Sequence, residues 1–256
     1  MDMFSSRWLE PARRQYRDGA ARLRATPHRS RSRQSDCDTR PPPSAEPAPA
    51  LQKRLVMMVR KPAAGRVKTR LARGIGVVAA TAFYRTASAG LIARLSGDPR
   101  WRMLLAVTPD AAVGDRAWPT QVERVAQGGG DLGARLQRLF DRLPPGPVVI
   151  IGSDSPDIRP AHIAAAFAGL GRADAVLGPA PDGGYWLIGL KRSPRVLKPL
   201  ARVRWSSEHT LTDTLANLTG KRVELLAPLD DIDEAADLAR SRGRHARRIS
   251  IPLTAN

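Results

Sequence analysis

The chain has 256 residues, of which 42% are hydrophobic, and a formal net charge of +18. This hydrophobic share is enough for a globular core, and the single cysteine, Cys37, excludes an internal disulfide framework and a cysteine-built metal centre. No apolar run reaches the ~20 residues that cross a bilayer, and the chain does not open with a secretory-type hydrophobic segment. The sequence therefore predicts a cytoplasmic protein that does not insert into membranes.

Residues 1–50 are rich in arginine and proline and have no sustained apolar period. We expect a disordered basic tail and linker over residues 1–50, followed by one folded domain over residues 51–256. An arginine-bearing tail can bind phosphate backbones, so a non-catalytic nucleic-acid-binding protein is one interpretation of the charge. Few aromatic residues and no recognisable nucleic-acid motif accompany the tail, which disfavours nucleic acid as the partner.

Beyond the tail, extended and helical patterns alternate. Strands are predicted at 55–59, 103–107, 148–151, 175–177, 185–190 and 223–226, and helices at 77–95, 131–143, 160–170, 207–218 and 233–241. This alternation favours an α/β fold with a mainly parallel central sheet covered on both faces. Because ligands of such sheets bind beyond the carboxyl ends of the strands, the segments that follow strands are the candidate site.

The segment KPAAGRVKTRL follows the first predicted strand and carries Lys61, Lys68 and Arg70. Lysines supply point charge and arginine can hold two phosphate oxygens, while Gly65 lets a ligand approach the backbone closely. This composition is typical of phosphate binding, although it is neither a Walker A loop nor a Rossmann glycine motif. An ordinary exposed basic loop is the alternative.

A second candidate follows the apolar run VVII, where Gly152, Ser153 and Asp154 come in succession. A carboxylate at the end of a buried strand is well placed to bind a hard divalent cation such as Mg²⁺ or Mn²⁺, and Ser153 can orient it. Nucleotide diphosphates carry such cations. The alternative is a turn or helix cap, a role that Asp157 fits better.

A glycine-rich segment runs from Gln127 to Arg135 and is predicted to open a helix with Asp131 as its cap. Free backbone N–H groups at helix starts can bind anions or bases, so this segment is a candidate nucleotide contact. The three glycines could equally form a plain connector.

Asp182, Gly183 and Gly184 form a turn between two extended runs, and Tyr185 follows directly. By itself this is a hairpin signal. The aromatic side chain beside flexible glycines suggests a pocket with one acidic group at its edge.

The last candidate is the acidic run Leu229–Glu234, which precedes a predicted helix. Carboxylates at a helix start are favourable for the helix dipole, which explains the run without any function. A second metal ligand that faces Asp154 is the sharper hypothesis.

Taken in order, the motifs KPAAGRVKTRL, QGGGDLGARL, GSDSPD, GPAPDGGYWLIGL, WSS and DIDE resemble the DUF2064-like family. Its members are GT-A-like proteins described as uncharacterised glycosyltransferases or nucleotide-diphospho-sugar transferases. The resemblance spans residues 53–240. The family is similar in turn to 2-phospho-lactate guanylyltransferases and molybdenum-cofactor nucleotidyltransferases.

This resemblance implies a three-layer GT-A-like fold and a divalent metal held by Asp154 and Asp233. It also implies that phosphates meet the basic first loop and that Asp182, with Asp154, takes part in catalysis, Asp182 as a base facing the acceptor. The chain departs from the Asp-x-Asp signature of glycosyltransferases, since Ser155 follows Asp154. Together with the patterns above, the predicted substrate or nucleotide contacts are Lys61, Gly65, Lys68, Arg70, Gln127, Arg135, Ser153, Gly183, Gly184 and Tyr185.

The expected function is metal-dependent transfer of a sugar from a nucleotide-diphosphate donor to a small acceptor. Nucleotidyl transfer from a nucleoside triphosphate to a phosphorylated small molecule is the alternative enzyme. The partners are thus a nucleotide-activated sugar or a nucleoside triphosphate, together with a small-molecule acceptor.

Overall fold

The computed structural model describes residues 51–241. The predicted tail over residues 1–50 and the end of the predicted domain lie outside the described residues. The strands are β1 (Arg54–Arg60), β2 (Arg102–Thr108), β3 (Glu123–Ala126), β4 (Val148–Ile151), β5 (Ala175–Pro179), β6 (Tyr185–Leu190) and β7 (Val223–Leu225). The helices are α1 (Thr69–Ile75), α2 (Val77–Ser96), α3 (Leu132–Arg142), α4 (Pro160–Arg172) and α5 (Thr210–Ala216), and residues 235–241 form a closing helical segment.

One seven-stranded sheet has the order β3-β2-β1-β4-β6-β5-β7. Strand β6 is antiparallel to β4 and β5, and the other neighbouring pairs are parallel. The prediction of a mainly parallel central sheet is therefore confirmed. The chain builds outward from β1 to β2 and β3 and then returns to place β4 on the other side of β1. This reversal leaves a crevice at the carboxyl ends of β1 and β4, where open α/β sheets bind ligands.

Helices cover both faces of the sheet because the strands are apolar on both faces. Leu55, Met57 and Val59 of β1 pack in one core with α2 and α4. Val56 of the same strand packs in a second core with α3, and Met58 packs against that core. The result is the three-layer α/β arrangement that was predicted.

A third, smaller core joins the beginning and the end of the described chain. Leu71 of α1 is buried with Ile232 and Leu238. The approach is close, since a Cβ atom on Gly74 would lie 2.7 Å from the Cβ of Ala235. This packing places the residues just before the closing segment beside the start of α1.

Three short elements were not predicted: α1, β3 and a 3₁₀ turn at Asp110–Ala112. Helix α1 begins inside the predicted basic loop, and only Leu71 of its residues is buried. Strand β3 lies at the edge of the sheet and is half exposed, so it shows little apolar pattern.

Three helix starts also differ from prediction, and that of α3 differs by one residue because Asp131 is the cap that precedes it. Helix α5 begins at Thr210 rather than 207, because the Ser207 hydroxyl donates to the carbonyl of Arg204 in a preceding turn. The closing segment begins at residue 235 rather than 233.

Candidate active site

A cleft of about 370 Å³ lies at the carboxyl ends of β1 and β4. Its walls come from the end of β1, the loop before α1, the start of α3, the segment after β4 and the acidic run before the closing segment. The predicted site residues that line it are Lys68, Arg70, Gln127, Arg135, Ser153, Asp154 and Asp233. Residues from four separated motifs thus meet in one place.

The Lys68 ammonium lies between two carboxylates. Its Nζ is 2.6 Å from Oδ1 of Asp154 and 2.7 Å from Oδ1 of Asp233. The Lys68 side chain is 5% exposed, whereas those of Asp154 and Asp233 are 49% and 39% exposed. Burial lowers the pKa of Lys68, but the two carboxylates outweigh this effect and the net shift is upward. Asp154 and Asp233, the two residues predicted to bind metal, therefore converge on one point, and the Lys68 ammonium occupies that point.

The backbone of Lys68 is left-handed, with φ 47° and ψ 48°, at the position before the first residue of α1. Such a conformation costs on the order of 1 kcal/mol for a residue with a Cβ atom and is typical of ligand-binding sites. The turn leads the chain from the basic loop into α1.

Hydrogen bonds hold Asp154 and its neighbour Ser153 in place. The amide of Ile232 donates to the carbonyl of Asp154 at 3.0 Å, which ties the acidic run to the end of β4. Beside it, the Ser153 hydroxyl donates to the Tyr84 hydroxyl at 3.4 Å. Tyr84 also accepts from the amide of Arg60 at 2.8 Å. Sequence reasoning missed Tyr84 because its position in α2 reads as core.

Gln127 is buried and connects three elements. Its side-chain amide donates to the carbonyls of Val59 and Ala106 at 3.0 and 2.7 Å. Its carbonyl oxygen accepts from Arg135 at 3.0 Å. The glutamine therefore holds β1 and β2 together and orients an arginine of α3 into the cleft, which gives it a structural role in addition to the predicted one.

Several cations of the cleft have no acidic partner. Within residues 51–241, no carboxylate lies within 4.0 Å of the guanidinium groups of Arg60, Arg66, Arg70 and Arg135. Lys61, by contrast, pairs with Asp115 at 2.5 Å and does not line the cleft. The cleft thus carries an excess of positive charge beside one carboxylate pair, a distribution that attracts polyanions. Arg60 was not predicted, although its place at the end of β1 was visible in the sequence.

The remaining predicted residues, Gly65, Asp182, Gly183, Gly184 and Tyr185, do not line the cleft. Tyr185 packs against Trp205, with ring centroids 6.4 Å apart, and its burial raises its pKa to about 12. Trp205 in turn covers Gly133 of α3, where a Cβ would lie 2.8 Å from the indole nitrogen. The aromatic pair therefore packs against the start of α3. For all five of the remaining predicted residues, the assignment to substrate contacts or catalysis stays a prediction.

Gly183 offers a test of how firmly the Asp182 turn is held. Its φ is +84°, and an added Cβ would lie 2.3 Å from the carbonyl oxygen of Glu208, whereas Gly65 has φ +71° and open space. We expect Gly183→Ala to lower the free energy of unfolding by about 3 kcal/mol or more, because it adds a backbone clash to the strain. Gly65→Ala should cost only the strain, about 1–2 kcal/mol. Urea unfolding of both variants measures the difference, and equal losses would contradict the close approach.

Asp231 is a weaker acid than an ordinary aspartate. Burial, followed by the charges of Asp233 and Asp182, raises its pKa to about 6. The folded state therefore holds this proton more tightly than the unfolded state, whose aspartate pKa is about 3.9. The resulting penalty on folding is absent below about pH 4, grows between about pH 4 and 6, and stays constant above about pH 6.

We accordingly expect Asp231→Asn to stabilise the protein at pH 7 by about 1 kcal/mol, after allowance for partial exposure, and to change little near pH 4. Thermal unfolding of the variant and the wild type across this range measures the difference. A gain that is the same at both pH values would contradict the assignment.

None of the helices within residues 51–241 has the length and apolar character to cross a bilayer. That part of the chain also has no group of three or more histidine, cysteine or acidic residues arranged to hold a metal ion by themselves.

Comparison with known proteins identifies a family and solved structures to which this chain is similar. A family model described as "Uncharacterized protein conserved in bacteria (DUF2064)" matches residues 91–207. The crystal structure of a candidate nucleotide-diphospho-sugar transferase from Desulfovibrio desulfuricans G20 is 30% identical, with a TM-score of 0.67, and the match covers 73% of this chain and 84% of that one. No curated protein matches the chain.

Two further structures share the fold alone. A 4-diphosphocytidyl-2C-methyl-D-erythritol synthase from Anaerococcus prevotii DSM 20548 is 8% identical over 77% of this chain and 99% of that one, with a TM-score of 0.51. A homologue of Mycobacterium tuberculosis Rv0371c from Mycobacterium sp. strain JC1 is 16% identical over 77% and 98%, with a TM-score of 0.50. The predicted GT-A-like fold is confirmed, and the chain belongs to the DUF2064 family.

Proposed function

We propose that this protein is a metal-dependent transferase that uses a nucleotide-activated donor, and that it transfers a sugar from a nucleotide diphosphate to a small acceptor. The observation that carries the proposal is the convergence of Asp154 and Asp233 on the Lys68 ammonium, at the crevice between β1 and β4. The similarity to a candidate nucleotide-diphospho-sugar transferase supports the same reaction class.

The carboxylate pair fits a cation that arrives with its substrate. Two carboxylates leave most positions around Mg²⁺ or Mn²⁺ open, and these ions commonly take the remaining oxygens from phosphates and water. Asp154 and Asp233 would hold the ion. When bound, it would neutralise charge that builds on the departing diphosphate.

The chain's own cations would complete the diphosphate site. Arg66 and Arg70 flank Lys68 on the rim of the cleft and have no acidic partner among residues 51–241. Their guanidinium groups can bind phosphate oxygens and stabilise the leaving group, and the Lys68 ammonium can do the same once a metal ion replaces it between the carboxylates.

Asp182 is proposed as the base that takes a proton from the acceptor. Strand β5 runs parallel to β4, because β6 is antiparallel to both, so its carboxyl end and the Asp182 turn lie at the same edge of the sheet as the cleft. The Asp182 carboxylate accepts from the amide of Gly184 at 2.9 Å and is exposed.

Calorimetric titration with UDP-, GDP- and dTDP-sugars, each with and without Mn²⁺, tests the proposal. We expect binding of at least one donor to depend on Mn²⁺ and to weaken when Asp233 is replaced by Asn. Absence of metal-dependent heat with every nucleotide would refute the proposed function.

Nucleotidyl transfer is the second candidate. The four cleft arginines that have no carboxylate within 4.0 Å among residues 51–241 favour it, because a triphosphate carries more negative charge than a diphosphate sugar. Release of pyrophosphate separates the two reactions. If pyrophosphate forms only from a nucleoside triphosphate and an added phosphorylated acid, the enzyme transfers nucleotides and not sugars. The hypothesis of nucleic-acid binding rests on residues 1–50, outside the described residues, and stays a prediction.

A further inference from the structure

Two arginines from different elements line the cleft. Arg60 ends β1, and Arg135 lies in the first turns of α3. Neither guanidinium has a carboxylate within 4.0 Å among residues 51–241. Partial burial, and then the positive charge of Arg60, lowers the pKa of Arg135. Like charges are thus held close together, and among residues 51–241 only the more distant Asp131 carboxylate offsets them at Arg135.

This arginine pair is distinct from the ion-pair cluster that Lys68 forms with Asp154 and Asp233. Besides burial, the pKa of Arg135 responds to Arg60, Asp131 and Arg138. The pKa of Lys68 responds to Asp154 and Asp233. In the sheet, Gln127 contacts the ends of β1 and β2, whereas Asp154 follows β4 on the other side of β1, so the arginine pair and the carboxylate pair lie towards different sides of the cleft.

The elements that carry the two arginines are joined by one buried side chain. Gln127 accepts from Arg135 and donates to the carbonyl of Val59, the residue immediately before Arg60. An arginine oriented in this way by a fixed partner is prepared to bind a ligand with little further loss of conformational freedom.

We propose that Arg60 and Arg135 form a second anion subsite that takes a phosphate monoester, apart from the diphosphate expected at the Lys68 end. A phosphate monoester carries a charge of about −1.5 to −2 near neutral pH and presents several acceptor oxygens. It can therefore neutralise both guanidinium groups and match their planar forks, whereas one carboxylate supplies a single negative charge. This subsite deepens the proposed function, since it would make one substrate a phosphorylated molecule.

The phosphate can belong to either substrate. In nucleotidyl transfer it is the terminal phosphate of the nucleoside triphosphate donor, and in sugar transfer it is a phosphate carried by the acceptor. The two sources share their chemistry, and the choice of probe separates them.

The first experiment is calorimetric titration with inorganic phosphate, without nucleotide or metal. We expect Arg60→Gln and Arg135→Gln each to weaken phosphate binding about tenfold or more, as for loss of a charge-assisted hydrogen bond. Arg135→Lys should retain an intermediate affinity. Arg142→Gln is the matched control, because it removes the same charge from α3 outside the cleft, and it should bind phosphate as the wild type does.

The Arg60→Gln variant keeps the test valid because a loss of binding in it should not come from misfolding. No hydrogen bond or ion pair within residues 51–241 involves the Arg60 side chain, so its loss should leave the thermal unfolding midpoint unchanged. If both glutamine variants bind phosphate like the wild type, or if only Lys68→Met weakens it, the subsite does not exist.

Titrations with GTP, GDP and glycerol 3-phosphate then identify the source. If Arg135→Gln removes the difference in affinity between GTP and GDP, the subsite holds the terminal phosphate of the donor. If the variant keeps that difference but loses glycerol 3-phosphate, the phosphate belongs to the acceptor. If it changes neither, the proposal is refuted. Should no nucleotide bind with metal while phosphate binding still depends on Arg60, the proposed function fails and the subsite stands.

Discussion

Replacement of Asp154 by Asn is expected to lower the metal-dependent kcat/KM of the transferase by about 100-fold or more, the scale seen when an enzyme loses an electrostatic stabiliser. The amide keeps the size of the side chain but removes one of the two charges that meet at Lys68. Stability should change little, because the side chain is 49% exposed. Mn²⁺ titration of kcat/KM and a thermal scan measure the two effects.

Asp157→Asn is the matched control. It lies three residues further along, makes the same chemical change, and does not line the cleft. We expect it to keep the activity of the wild type. Equal losses in both variants would show that the whole turn, and not the carboxylate of Asp154, matters.

Replacement of Lys68 by Met is expected to have two opposite effects. Without metal, it leaves Asp154 and Asp233 facing each other with no cation between them. This should cost about 1–2 kcal/mol, since the lysine is buried but its partners are partly exposed. For a domain of this size the unfolding midpoint falls by about 2–4 °C per kcal/mol. With Mn²⁺, the same vacated space should bind the ion more tightly than in the wild type, so added Mn²⁺ should restore the midpoint.

Thermal scans with and without Mn²⁺ measure both effects. Lys61→Met is the comparison, because it breaks an ion pair with Asp115 outside the cleft and should change stability by less than about 1 kcal/mol without any response to Mn²⁺. If Mn²⁺ fails to stabilise Lys68→Met more than the wild type, the carboxylates do not form a metal site.

Much of the fold could be predicted because the buried strands have clear limits. The run at 148–151 and that at 185–190 match the observed strands at both ends, since the first is bounded by Pro147 and Gly152 and the second by Gly184 and Lys191. The short elements could not be predicted. Helix α1 buries one residue fully and carries a glycine, and its formation depends on the closing segment that packs against Gly74.

The sequence indicated which segments line the cleft, but not which of their side chains come together. Local patterns identified the basic loop and both acidic segments, yet Lys68 and Asp233 are 165 residues apart, and nothing in local spacing brings them together. Tyr185 shows the opposite difficulty. A pattern of glycine followed by an aromatic residue fits a pocket wall and a packed position alike; here the ring packs against Trp205 and does not line the cleft, and its contact with substrate stays a prediction. Which pattern serves the ligand and which serves the core is decided by tertiary contacts.

The small core that joins α1 to the closing segment also bears on how the enzyme is made. One half of the carboxylate pair, Asp154, is present once β4 has been synthesised, but Asp233 reaches its place only when Ile232 and Leu238 pack on Leu71. The last strand, β7, ends only eight residues before Asp233, so the sheet and the carboxylate pair are completed by the same short stretch of chain. Premature termination before residue 233 would yield a chain that keeps all seven strands yet has no carboxylate pair. The carboxylate pair therefore depends on the residues that follow β7 and pack on α1.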